Sequence, residues 1–164
     1  MFTEKIVLLF IKKKMKGSDL VHASKSPVRV LEYMADYRQS NGGVGTRLTG
    51  IVHFTPSAES HKGFCHGGSM CSIMDDVIGW CGFLKTGKCI PWSGFTVQIN
   101  TSLKKPIPVN SILKISAEII KVDRRKVFIE ALLTDPTDVN DNDEVIHAKG
   151  DGLVILNKEF SSEV

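Results

Sequence analysis

The sequence predicts an α+β fold in which one long buried helix lies across the inner face of an antiparallel sheet. Three observations predict it. Residues 67–84 are almost all apolar or small, a run too long for a strand and right for a buried helix. Four segments with strand character follow in succession, which favours antiparallel pairing. The last of them carries Ala148, Gly150 and Gly152 at alternate positions, and such small residues let a helix approach a sheet closely.

The elements follow in order. Ile6 to Ile11 is an apolar run followed by Lys12, Lys13 and Lys14. It is too short to span a bilayer, and its lysines stand on the wrong side for a signal peptide. No membrane span and no secretion are therefore expected. Residues 1–24 read as a frayed or helical extension, and residues 25–164 as one domain. The first 17 residues are basic with a single acid, which leaves a mitochondrial presequence open beside a cytoplasmic location, although they lack arginine. Pro27 to Gln39, with Val28, Leu31, Tyr33 and Met34 at mixed helical spacing, reads as an amphipathic helix. Asn41 to Gly45 is a glycine-rich turn without the G-K-[ST] of a phosphate loop.

Thr46 to Phe54 reads as the first strand, and Pro56 to Gly63 as a loop. The four later strands are Phe95–Leu103, Ser111–Val122, Lys126–Thr134 and Glu144–Leu156. Leu113, Ile115, Ala117 and Ile119 alternate with polar residues, as do Val127, Ile129, Ala131 and Leu133. The short polar Asp123–Lys126 link makes these two a hairpin. Asp135 to Asp143 has loop composition.

At 164 residues, 42% hydrophobic and 24% charged, the chain suits one globular domain. A net charge of +3 is too small to argue for a nucleic-acid partner, yet it suits an anionic small molecule. Cys65, Cys71, Cys81 and Cys89 form no C-x-x-C pair and read as reduced thiols, Cys71 and Cys81 as small hydrophobes.

The chemistry concentrates at the buried helix. Gly67 and Gly68 open it, where backbone N–H groups are unpaired and no side chain blocks a carbonyl oxygen from reaching them. Gly68, Cys71, Ser72, Asp75, Gly79 and Gly82 share one small face; Met70, Ile73, Met74, Val77 and Trp80 lie opposite and suit the sheet. Asp75 and Asp76 interrupt an apolar helix, where an acid is costly to bury. Each also has a plain reading as a loop cap or solvent-facing residue, the more so for Asp76. His66 and Asp75 are nine positions apart, or about 13 Å along a helix. If both act at one centre, they meet across a two-fold axis, so an obligate homodimer with two composite sites is expected.

His66-Gly67-Gly68 with an aspartate nine positions after the histidine resembles the motif of the PaaI-like hotdog-fold thioesterases. Within them the chain is most similar to the acyl-CoA thioesterases called thioesterase superfamily members 4 and 5. The likeness continues through Thr96, Ile99 and Asn100, Lys104-Lys105-Pro106-Ile107-Pro108 and Asp123-Arg124-Arg125-Lys126, roughly residues 45 to 157. It implies a hotdog fold, a curved sheet wrapped around the central helix and continued into a second copy. It implies hydrolysis of acyl-CoA thioesters, with medium- to long-chain fatty acyl groups expected and no cofactor. Asp75 would be the catalytic carboxylate, as nucleophile or as base for water. The Gly67 N–H would polarise the thioester carbonyl, His66 would position it, and Thr96 would orient the water or the carboxylate. Gly68, Lys104, Lys105 and Trp92 are the expected substrate contacts, the lysines for CoA phosphates. A tetramer, as a dimer of dimers, stays open.

The sequence departs from the family at Glu59-Ser60-His61-Lys62, where some relatives carry an asparagine or glutamine, and in a longer link from Lys85 to Trp92. Three other readings compete. A metal site from His61, Cys65, His66 and Cys71 lacks a recurrent zinc spacing. A hotdog hydratase or dehydratase would use His with an acid at carbon. A non-catalytic acyl-CoA-binding protein would keep the fold without the chemistry.

Overall fold

The computed structural model describes residues 2–6, 19–37, 42–136 and 144–160. Among the described residues nine strands and a long helix occur in the order β1 (Phe2–Ile6), β2 (Val28–Tyr37), β3 (Arg47–Phe54), β4 (Glu59–His61), β5 (Phe64–Cys65), α1 (Gly67–Phe83), β6 (Gly94–Leu103), β7 (Ser111–Asp123), β8 (Lys126–Thr134) and β9 (Ile146–Leu156). Seven of the strands form one sheet, ordered β1-β2-β3-β7-β8-β9-β6, with every neighbouring pair antiparallel. The expected helix, the 46–54 strand and the four later strands all form within two residues of their expected ends.

Spatial order differs from chain order at β6. This strand does not pair with β7, its successor, but crosses to the far edge beside β9. The Lys104–Asn110 crossover passes the start of α1, where the Cys65 N–H donates to the Ile107 carbonyl at 2.9 Å and Ile107 is buried.

Three of the expected elements differ, the first being the 56–63 loop, which carries the short strand β4 at Glu59–His61. Pro27–Gln39 is not a helix: Val28–Tyr37 is strand β2. Its register against β3 shifts between Val30 and Glu32, leaving Leu31 as an exposed bulge. Val28 and Val30 point inward before the bulge; Tyr33, Ala35 and Tyr37 do so after it. One extra residue moves the alternation by one position, so a period of two passes for helical spacing. Phe2–Ile6, expected as a frayed or helical extension, is edge strand β1, paired to β2; residues 7–18 lie outside the described residues, as does most of the 135–143 loop.

The small residues of β9 do what their pattern predicts. A Cβ built on Gly152 would stand 2.7 Å from Ile78 Cγ2, and one on Gly150 would stand 3.1 Å from Met74 Cε. Gly82, assigned by spacing to the open face, is buried, its absent side chain making room for Val154. The helix therefore buries Met70, Ile73, Met74, Val77, Ile78, Trp80, Cys81 and Phe83 and leaves Cys71 and Asp75 exposed. Cys71 thus faces outward instead of packing as a small hydrophobe, whereas Cys81 packs as expected.

A side chain at Gly152 would force α1 off the sheet. Overpacking of this kind costs roughly 1–3 kcal/mol, so Gly152→Val should lower the urea midpoint clearly, and an unchanged midpoint would contradict this account of the packing.

Candidate active site

His66 is the N-cap of α1, and its Nδ1 accepts the Gly68 N–H at 2.8 Å. Nδ1 is therefore the unprotonated ring nitrogen. A Cβ on Gly68 would lie 2.8 Å from that atom, so glycine is what admits the ring. Of the two glycine donors expected to be open, the Gly68 N–H is committed to the cap. The Gly67 N–H makes no hydrogen bond among the described residues. The Leu103 side chain reaches over Gly67, 2.8 Å from where its Cβ would be. Lys104 and Lys105 follow directly. Both backbone N–H groups donate to the His147 carbonyl, at 2.8 and 3.2 Å, and both residues are exposed. His66, Gly67, Leu103 and the two lysines thus gather at one end of the helix.

Asp75 stands two and a half turns further on. It is exposed and makes no hydrogen bond or ion pair among the described residues. It lines a cavity of about 710 Å³ with Thr96, Ser72, Trp80, Phe83 and Trp92. Gly79, one turn after Asp75, admits Thr96, whose Oγ1 would be 3.4 Å from a Cβ there. Trp92 sits at φ +63° and packs on Trp80 and Phe83, with ring centroids 6.4 Å away in each case. The Asn157 amide donates to its carbonyl at 3.0 Å. The long 85–92 link therefore folds its tryptophan over the end of α1 and into the cavity wall. His66 borders a separate cleft of about 280 Å³. The structure brings Asp75, Thr96 and Trp92 together, and His66, Gly67, Gly68, Lys104 and Lys105 together. It does not join the two groups within one chain.

The neighbouring acid has a different fate. Asp76 does not face solvent or cap a loop. Tyr33 donates its hydroxyl to Asp76 Oδ2 at 2.7 Å, and His22 Nε2 lies 3.0 and 3.1 Å from the two carboxylate oxygens. Sequence reading missed His22 and Tyr33, although an acid in an apolar helix signals that some partner must exist. His22 lay in the supposed extension and Tyr33 in the supposed helix, so neither was a candidate.

Among the described residues no group of three or more His, Cys, Asp and Glu is placed to hold a metal ion. Cys65, from the competing metal reading, is buried with its thiol turned to the Pro108 carbonyl at 3.7 Å. No helix among the described residues is long and apolar enough to cross a membrane.

The thioesterase superfamily model matches residues 62–140, from the loop before α1 through the β7–β8 hairpin. Over these residues the chain is similar to the thioesterase superfamily. Acyl-coenzyme A thioesterase THEM4 of Rattus norvegicus is 23% identical over 152 residues, covering 89% of this chain and 60% of that protein. The chain spans about half the length of the curated relatives it matches. Zebrafish thioesterase superfamily member 2 superposes with a TM-score of 0.63 at 19% identity, over 92% of this chain and 94% of that one. A hypothetical thioesterase from Streptococcus pneumoniae, solved with coenzyme A, gives 0.58 at 15% identity, over 76% and 85%. The fold they share with this chain is the hotdog fold, as the resemblance of the H-G-G motif and its aspartate implies.

Burial holds the Tyr33 phenol well above its ordinary 10.0, and the Asp76 carboxylate raises it further. Burial likewise raises the Cys81 thiol above 9.0. Both groups stay neutral in the folded chain when the unfolded chain has begun to ionise. Their contribution is complete below the unfolded values and is lost as pH rises past them. Stability should therefore decline from pH about 9 and more steeply beyond about 10. Tyr33→Phe should remove the steeper limb in urea titrations, and an identical alkaline profile in that variant would contradict the assignment.

Proposed function

We propose that this chain hydrolyses acyl-CoA thioesters, probed best with medium- to long-chain fatty acyl groups, to free acid and CoA, with Asp75 as the catalytic carboxylate. One observation carries the reading: of two adjacent helix acids, Asp76 is fully engaged by protein while Asp75 is left without a partner in the wall of a largely apolar cavity. The superfamily and the names of the relatives point to the same chemistry.

The roles follow from position. Thr96, beside Asp75 across Gly79, orients the attacking water or the carboxylate. Trp92 flanks the acyl group. At the other end of the helix the Gly67 N–H receives the thioester oxygen as negative charge develops on it. His66 fixes that end through its bond to Gly68 and positions the carbonyl. Lys104 and Lys105 meet CoA phosphates, and Gly68 lines the approach. In the reaction water supplies the new C–O bond, the C–S bond breaks, and the CoA sulfur leaves and takes up a proton. Asp75 as base takes the water proton directly; Asp75 as nucleophile forms an anhydride that water then opens.

Because the two groups lie apart in one chain, the complete site takes its donor end from one copy and its carboxylate end from another. This supports a homodimer, with a dimer of dimers as a further step. On this reading the protein acts in fatty acid metabolism, in the cytoplasm or the mitochondrion, and the hydrolysis as written needs no resident cofactor.

Free-thiol release from a panel of aliphatic and aryl acyl-CoAs tests this reading. Asp75→Asn should cut kcat/KM by at least about a hundredfold, and Thr96→Ala by a smaller factor. Full activity in Asp75→Asn would sink the mechanism. Tight acyl-CoA binding with no turnover in the wild type would make the protein an acyl-CoA binder.

A further inference from the structure

Leu20 and Ser72 are the two residues that border both the 710 Å³ cavity of Asp75 and the 280 Å³ cleft of His66. Ser72 is part of α1, its hydroxyl donating to the Gly68 carbonyl at 2.8 Å. Leu20 arrives from a separate segment and is 65% exposed. The described backbone beside it, from Asp19 onward, is tied down by hydrogen bonds. The Asp19 carboxylate accepts the Val21 and His22 N–H groups at 2.9 and 2.8 Å, and Ser26 Oγ donates to the Asp19 carbonyl at 2.9 Å. Val21 is buried and its carbonyl accepts the Val30 N–H at 2.9 Å. Two residues after Leu20, His22 locks onto Asp76, the immediate neighbour of Asp75. A large apolar side chain is thus held in the open, on a hydrogen-bonded base, at the junction of two cavities.

We infer that Leu20, held in place by the His22–Asp76 contact, is the partition between the two cavities and sets the length of acyl chain the site accepts. The inference rests on the thioesterase reading and goes past it to chain-length preference. An acyl chain that fills the larger cavity meets Leu20 before it can enter the cleft beyond. Each further methylene that leaves water is worth about fourfold in affinity, so a partition that stops a few methylenes changes the preference strongly. His22 is a positioning residue in this scheme: it touches no substrate and acts through Leu20.

The test uses the full chain with non-hydrolysable S-alkyl-CoA thioethers from butyl to hexadecyl, measured by calorimetry, and hydrolysis of the matching acyl-CoAs. The hexadecyl-to-hexyl affinity ratio should rise at least about tenfold in Leu20→Ala and fall comparably in Leu20→Trp. His22→Ala should shift the ratio in the same direction as Leu20→Ala, whereas a merely structural histidine would lower the melting temperature and leave the ratio alone. An unchanged ratio in both Leu20 variants overturns the partition, even if hydrolysis proceeds. Shifted binding without turnover of any acyl-CoA upholds the partition and removes the thioesterase reading. Failure of every form to bind any thioether overturns both.

Discussion

The close seating of α1 on β9 governs the rest of the molecule. Gly150 and Gly152 remove the side chains that would keep Met74 and Ile78 at a distance, and Gly82 does the same for Val154. Once the helix is pressed onto the sheet at these points, its rotation is set. The Met70–Ile73–Met74–Val77 side is committed to the core, and the Cys71–Ser72–Asp75–Gly79 side faces the cavity. A helix free to turn by one residue, about 100°, would exchange the environments of Asp75 and Asp76.

Those environments set the two adjacent acids apart. Asp76 spends its charge on Tyr33 and His22, tying β2 and the 19–27 segment to the helix. Asp75 has no such duty. The same division appears at the helix start, where Gly68 gives its N–H to His66 and Gly67 keeps its own. In each pair one member is bonded within the protein and its neighbour has no partner among the described residues.

Much of this was legible in the sequence. Strands β7 and β8 follow from periodicity because one face of each is buried and the other is not, and α1 follows from its long apolar run. The small residues of β9 and the H-G-G motif with Asp75 likewise read directly. What escaped detection depended on contacts distant in sequence. A single bulged residue, Leu31, disguised β2 as a helix. With β2 misread, Tyr33 had no reason to point at Asp76, which lies 43 positions later. His22 reaches the same carboxylate from 54 positions away. No local pattern encodes such a pairing; only the cost of an unpaired acid announces it. The placement of β6 beyond β9 was similarly invisible, because strand pattern does not state which neighbour a strand chooses.

The central claim is that each chain carries two half-sites, one at His66 and Gly67 and one at Asp75 and Thr96, completed by a second copy. Subunit mixing tests it most directly. Asp75→Asn and His66→Ala chains, each with its own affinity tag, would be co-expressed and the mixed dimer purified through both tags. Each variant alone has two damaged sites. The mixed dimer has one intact composite site and one doubly damaged site, so it should recover about half of the wild-type acyl-CoA hydrolysis. A mixed dimer no more active than its parents, or a chain that stays monomeric while fully active, would contradict the account.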